Sequence, residues 1–246
     1  MPGFAPSSSW LDGLQAACTA NLPLPVRASD WRAVKTYLQP QDLAAYRNLL
    51  PRPLDMPAQP LVLVELAEVS PTWHEGIVSI ACRFGDTEGW HGLYWAIDSY
   101  FPYVFGLLVG YPKFMADRMT LVREGSRWRG DVLHRGRNQL SVECAADDDA
   151  ARSASEEALL SRLGGPATER PYFLQVPAGR GPWINRLTYT ETIGRPLEQR
   201  PGRVTVRCDV DEPWAALFPD RVASGAGKLL ATKGTGFGWL TARRVG

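Results

Sequence analysis

The stretch "VGYPKFMADRM" (109–119) places Lys113 directly after a proline and before a phenylalanine, following "YFPYVFGLLVG" (100–110), which has no charged residue. Two placements fit such a lysine. Its stem can lie on apolar surface while the ammonium reaches water, or the ammonium can be held in dry surroundings. An ordinary lysine, with a pKa near 10.4, is a neutral nucleophile in only about 1 molecule in 2,500 at pH 7. Desolvation disfavours the charged form. Phe101, Tyr103, Phe105, Leu107, Leu108, Val109, Phe114 and Met115 offer apolar surroundings within a few residues. A neutral amine there can attack a ketone and form a Schiff base.

Other chemical motifs fail on their own terms. "SGAGKLL" (224–230) suggests a phosphate loop, but Val222 stands where the first glycine is needed, and Lys228 precedes Leu229 rather than Ser or Thr. No G-x-S-x-G or H-E-x-x-H occurs. "GTGFGW" (234–239) has the wrong spacing for dinucleotide binding and reads as a turn and a glycine-bent strand. Cys18, Cys82, Cys144 and Cys208 form no C-x-x-C pair, and with only His74, His91 and His134 there is no zinc spacing. Free thiols in a reducing cytosol are expected.

The whole chain excludes further classes. Its 246 residues carry 27 basic and 26 acidic side chains, so no net field gathers nucleic acid or an anionic membrane. The 9 tryptophans are spread out rather than interleaved with basic clusters, unlike a nucleic-acid stacking platform. No apolar run approaches the ~20 residues that span a bilayer, and the N-terminus lacks a signal-peptide pattern. The expectation is a soluble, cytoplasmic protein without nucleic-acid or membrane partners.

Two helices are expected early. "SSSWLDGLQAACTA" (7–20) has a capping pattern at Ser9 and Asp12, and "PQDLAAYRNLLPRP" (40–53) repeats Leu43, Tyr46, Leu49 and Leu50 before Pro51 stops it. Strand patterns then dominate, at 61–69, 76–84, 91–97, 119–124, 126–133 and 138–144. "PYFLQVP", "NRLTYTET" and "RVTVRCDV" continue them later. Such a series makes the protein mainly β (α+β), an antiparallel barrel or two packed sheets with a few flanking helices. Residues 145–170 turn acidic, small and helical, and read as an exposed helical insertion in a single domain spanning 1–246.

Read in order, "YLQPQDLAAYRNLLPRPLDM", "LVLVEL", "WHEGIVSI" and "YWAIDSYFPYVFGLLVGYPKF" resemble the acetoacetate decarboxylase family over roughly residues 30–240. "AID" (96–98) matches that family's strand end, Gly106 its helix glycine, "GYPK" (110–113) its lysine turn, and "RPYFLQVP" (170–177) a later motif. The resemblance implies a closed, cone-like β-barrel with a Schiff-base lysine, Lys113, in its lumen. It places Glu75 as the proton-carrying carboxylate and Glu65 as a second luminal carboxylate. Strand parity agrees, with Val78, Ile80, Cys82 and Phe84 on one face and Glu75, Ser79, Ala81 and Arg83 on the other.

Departures from the family shape the expected substrate. The family's second lysine is Phe114 here, leaving desolvation, which Phe114 would strengthen, as the route to a reactive amine. The family's "GRE" reads "GLL" (106–108), and its substrate-binding arginine aligns with Asp30. Arg32, on the same face of an extended strand, is the expected replacement, with Arg27 a weaker candidate. Trp73 and Tyr94, with Trp90, Trp95 and Tyr100, form an expected aromatic lining for a larger organic molecule. His74 and His91 are secondary candidates for carrying protons.

Three functions fit. One is decarboxylation of a β-keto acid through an imine on Lys113. Another is aldol, dehydration or cyclisation chemistry on a pyruvate- or polyketide-like carbonyl through the same imine. The third is a β-barrel that binds an apolar ligand without catalysis. The resemblance implies a small-molecule keto substrate, a homo-oligomer, and no cofactor or metal, because the lysine itself is the electron sink.

Overall fold

Hydrogen bonding joins fourteen strands into one sheet. The computed structural model describes residues 20–146, 153–155, 157–158, 171–176, 183–191, 197–209, 212–232 and 235–245. The elements in chain order are β1 (Ala20–Ser29), β2 (Arg32–Leu38), α1 (Leu43–Asn48), β3 (Val62–Ser70), β4 (Trp73–Phe84), β5 (Thr87–Ile97) and α2 (Tyr100–Val109). They continue with β6 (Lys113–Met115), β7 (Arg118–Glu124), β8 (Arg127–His134), β9 (Arg137–Ala146) and β10 (Tyr172–Val176). The last are β11 (Trp183–Glu191), β12 (Leu197–Cys208), β13 (Val222–Thr232) and β14 (Thr235–Arg244). Across the sheet the order is β1-β14-β11-β10-β5-β4-β3-β2-β13-β12-β9-β8-β7, with β6 also pairing β5.

The helix expected near residue 40 forms as α1. The Asp42 carboxylate accepts from the Ala44 and Ala45 amides at 2.8 and 2.9 Å, satisfying two of the free donors at the helix start. Tyr46 is fully buried, and its hydroxyl donates to the carbonyls of Leu61 and Ala81, tying α1 to the sheet. The helix expected at 7–20 lies outside the described residues, apart from Ala20, which begins β1.

The sheet buries both faces of its centre. On β2, β3 and β4 the even-numbered side chains Val34, Val64, Leu66, Val78 and Ile80 join a large apolar core with Met119, Val132, Leu140, Val142, Val204 and Val206. Each such side chain removed from water stabilises the fold by about 1.5–3 kcal/mol. The odd-numbered face meets α2, β10 and β11, where Leu174, Leu187 and Val109 pack with Phe105, Tyr111 and Tyr172. The parity read from β4 therefore holds. Its second face is buried too, with Ile77, Ser79 and Ala81 covered.

A bulge makes β5 change parity. Val78 pairs with Tyr94, but Ser79 pairs with Gly92, so Leu93 is one residue extra. Trp95, opposite Ile77, and Trp90, opposite Ala81, thus share the odd face of β4, while Tyr94 and Ala96 share the even face.

The expected closed barrel is a cone whose hydrogen-bonded path stays open among the described residues. Its end strands, β1 and β7, both return to pack on β3. Arg118, Arg123 and Glu124 keep β7 exposed to water, which is how a charged edge strand resists further pairing. "SGAGKLL" lies within β13. A Cβ on Gly227 would meet Val204 Cγ2 at 2.3 Å and the Lys35 carbonyl oxygen at 2.7 Å, so crowding by adjacent strands accounts for that glycine. Of the 145–170 stretch, Ala145 and Ala146 extend β9. Ala154, Ser155, Glu157 and Ala158 are helical and exposed, and the rest lies outside the described residues.

Candidate active site

Lys113 is positioned by the end of α2. Gly110 adopts a left-handed conformation (φ 98°), and the amides of Gly110 and Tyr111 donate to the carbonyls of Leu107 and Gly106. This glycine stop is a common helix ending. Pro112 then sends the chain into β6, where Lys113 pairs in parallel with Trp95 of β5. Lys113 thereby joins the odd face.

The lysine stem lies against α2 at Gly106. A Cβ there would stand 2.4 Å from Lys113 Cδ and 2.5 Å from Cε. A helix-interior glycine costs about 1 kcal/mol relative to alanine; here its bare backbone makes room for the lysine.

The ammonium is enclosed, with the side chain 6% exposed. Lys113 Nζ donates to Glu75 Oε1 at 2.8 Å and to the Pro102 carbonyl at 3.3 Å. The rings of Trp95 and Tyr111 each lie 5.4 Å from it, within cation–π range. Trp95 and Tyr111 meet edge to face at 4.1 Å, and Tyr172 closes on both at 5.5 and 6.0 Å. Burial first, then the Glu75 charge, raises the Tyr111 phenol above its ordinary range, so it stays protonated.

Of the expected site residues, Lys113 and Glu75 come together. Glu65 also lies on the odd face, 3.5 Å from Lys35 Nζ, a residue the sequence reading did not single out. Trp73, two residues from Glu75, packs with Ala33, Ala67, Val69 and Leu230, and its indole N–H has no hydrogen-bond partner among the described residues.

Three expected site residues lie elsewhere. Tyr94 and Phe114 occupy the even-face core, in edge contact at 4.9 Å, with Tyr94 also on Trp214 and Phe114 on His134. Strand alternation sends Phe114 away from the face of Lys113, so it does not desolvate the amine directly. Arg32 is also even-faced. It holds Glu68 at 2.6 Å and lies 5.7 Å from the Trp128 ring. The argument from Asp30 to Arg32 failed because Asp30 precedes β2 with φ 50°, so the two are not on one extended strand. Arg27 stands on β1, outside the described side chains.

The histidines have structural partners. His74 Nδ1 and backbone N–H both bond the Asp98 carboxylate at 2.7 Å, and that hydrogen bond raises its pKa. This gives Asp98, at the matched "AID" strand end, a local role: it clamps the start of β4 beside Glu75. His91 Nδ1 contacts the Phe173 carbonyl at 2.8 Å, and burial lowers its pKa.

Cys82, Cys144 and Cys208 are free and buried, and burial pushes the thiols of Cys82 and Cys144 up to about 12, leaving them unreactive. Among the described residues no cluster of His, Cys, Asp or Glu could hold a metal, and no helix is long and apolar enough to cross a membrane.

A buried amine touching one carboxylate, beside an aromatic wall, can exchange its proton and meet a carbonyl carbon. A β-rich cone with a lysine–carboxylate pair on its interior face is the architecture expected of the acetoacetate decarboxylase type. The chain belongs to the acetoacetate decarboxylase family, whose sequence model matches residues 23–240.

Solved structures of similar fold include acetoacetate decarboxylase from Legionella pneumophila, at 15% identity and TM-score 0.68, covering 93% of this chain and 90% of that one. The enduracididine biosynthesis enzyme MppR complexed with pyruvate is similar at 15% identity and TM-score 0.61, covering 92% and 91%. An acetoacetate decarboxylase-like enzyme from Sphingomonas wittichii is similar at 18% identity and TM-score 0.60, covering 90% and 92%. No curated protein matches the chain.

Proposed function

We propose that the protein is a Schiff-base lyase that decarboxylates a β-keto acid through an imine on Lys113. The observation that carries this reading is the buried 2.8 Å contact between Lys113 Nζ and Glu75 Oε1, in a chain of this family. Glu75 takes a proton from the ammonium, and the freed amine adds to the ketone carbon. Loss of water leaves a protonated imine. The electron pair of the bond to the departing carboxylate flows into that imine, releasing carbon dioxide and an enamine. Glu75, or a water it holds, returns a proton to the enamine carbon. Hydrolysis then frees the ketone product and the lysine. The chemistry needs no organic cofactor or metal.

The second reading uses the same imine for aldol, dehydration or cyclisation chemistry. Its support is the likeness to MppR, solved with pyruvate and with a condensation product of pyruvate and imidazole 4-carboxaldehyde. The aromatic wall of Trp95, Tyr111 and Tyr172 suits a substrate larger than acetoacetate.

The partner we assign is a small keto compound, in a cytoplasmic homo-oligomer. The outer side of α2, where Tyr100 is 73% and Phe101 80% exposed, is apolar surface that assembly would cover.

The test is reductive trapping with borohydride and a panel of β-keto acids, pyruvate and larger ketones, alongside carbon dioxide release. An adduct on Lys113 with carbon dioxide release supports decarboxylation, and an adduct with carbon–carbon condensation favours the second reading. Unmodified protein with every ketone would leave a ligand-binding barrel.

A further inference from the structure

The odd face carries a second ion pair that the chemistry at Lys113 does not use. Lys35 and Glu65 face one another across β2 and β3, with side chains 10% and 12% exposed. The register continues from Lys35 through Glu65, Ile77 and Trp95 to Lys113, so all five share the interior face. Glu75 pairs with Ala67, two residues from Glu65, making the two glutamates diagonal neighbours on adjacent strands. Such neighbours stand roughly 7–8 Å apart. The four charges therefore run in order as Lys113, Glu75, Glu65, Lys35, with a cation at each end.

Two buried donors lie between those ends. Ser79 Oγ, fully buried, and Trp95 Nε1, in a side chain 5% exposed, have no hydrogen-bond partner among the described residues. Native proteins seldom leave such groups unmatched. Both belong to the odd face, on β4 and β5. An oxygen-bearing ligand would supply their acceptors.

We propose that Lys35 and Glu65 form the far subsite of the same chamber, holding a carboxylate carried at the opposite end of the keto substrate from the reacting carbonyl. This rests on Lys113 condensing with a ketone. An anionic group placed mid-chamber is repelled by Glu75 and Glu65, so its favourable position is the outer cation, Lys35. Glu65 stands 3.5 Å from that ammonium, longer than the 2.7–2.9 Å usual for a charge-assisted hydrogen bond. It neutralises Lys35 by charge more than by a tight bond, which suits a site that exchanges partners. A simple β-keto acid keeps its carboxylate beside Lys113 and leaves Lys35 unused. The substrate class is thus an oxo acid with a remote carboxylate: an oxo diacid if carbon dioxide is lost, an oxo monoacid if carbon bonds are made.

The test compares borohydride trapping of oxoheptanoate, a methyl ketone with a remote carboxylate, with trapping of its neutral amide. In the wild-type protein the acid should half-saturate Lys113 at a concentration about tenfold lower than the amide, as expected for one hydrogen bond to a charged group. The double variant Lys35→Met/Glu65→Gln, which leaves no lone buried charge, should bring the ratio to about one. Lys35→Arg should retain most of the preference. Equal trapping of acid and amide by the wild-type protein, or a preference that survives the double variant, would overturn the subsite while leaving the imine intact. Failure of both probes to label Lys113 would take down the imine reading and this one with it.

Discussion

Glu75 and Lys113 lie 38 positions apart in the chain and 2.8 Å apart in space, joined by the side-by-side packing of β4, β5 and β6. The pair is nearly dry, and removing one partner of a buried ion pair commonly costs 3–5 kcal/mol. Its placement on the face opposite the main apolar core argues that it serves chemistry.

Glu75→Gln should keep the contact as a neutral hydrogen bond while losing the proton carrier. Turnover should fall by about 10²–10⁴, the range for loss of a general acid–base group. Trapping on Lys113 should remain detectable. Comparing kcat with adduct yield checks this; wild-type kcat in the variant would remove Glu75 from the mechanism.

Gly106→Ala separates stability from activity. Alanine improves helix propensity by about 1 kcal/mol, but its methyl group occupies the space of Lys113 Cδ and Cε. The flexible lysine stem gives way, so thermal melting should show Tm near wild type while trapping falls at least about tenfold, for roughly 1.4 kcal/mol of mispositioning. A variant that traps normally would show that the lysine does not depend on this close approach.

Much of this was legible in the sequence, for identifiable reasons. Lys113 stood out because a charge at the end of an uncharged run is costly to place. Glu75 followed from strand alternation on β4, which the structure keeps. Tyr94 was misassigned because the extra residue Leu93 reverses parity halfway along β5, and no local pattern marks that bulge. Phe114 was credited to the site for its adjacency to Lys113, although neighbouring strand residues face opposite ways. Lys35 escaped notice because "RAVKTYL" has a lone lysine that only the cross-strand register places opposite Glu65. The cone's packed seams rest on contacts between strands far apart in sequence.

Phe114→Lys tests the face assignment. A lysine beside Lys113 in the site would alter its reactivity, whereas a lysine in the even-face core meets Tyr94 and His134. The expected result is destabilisation of at least about 3 kcal/mol, from lost aromatic packing and a desolvated charge. Denaturant unfolding measures it. A stable variant with increased acetoacetate decarboxylation would contradict the placement.

Arg32→Ala should change little at the site. Its pair with Glu68 involves a guanidinium side chain 43% exposed, worth at most about 1 kcal/mol after solvent screening. Trapping of keto acids should stay within about twofold of wild type, well below the tenfold that 1.4 kcal/mol represents. A tenfold loss confined to carboxylated ligands would restore Arg32 to substrate binding.

The His74–Asp98 clamp should give stability a pH dependence. The hydrogen bond to Asp98 raises the folded-state pKa of His74 above its ordinary 6.5. The protonated histidine's contribution is therefore fully present below pH 6.5 and is lost as pH rises through the raised folded value. Unfolding free energies measured for wild type and Asp98→Asn across that window should converge toward the alkaline end. A constant difference would mean that the clamp does not act through histidine protonation.

The most direct test of the central claim is intact-mass and peptide mapping after borohydride reduction with a panel of keto compounds, run on the wild-type protein and Lys113→Ala. The account predicts one adduct per chain, mapped to Lys113 and absent from the variant. Unmodified wild-type protein with every ketone, or an adduct at another lysine that persists in Lys113→Ala, would contradict it.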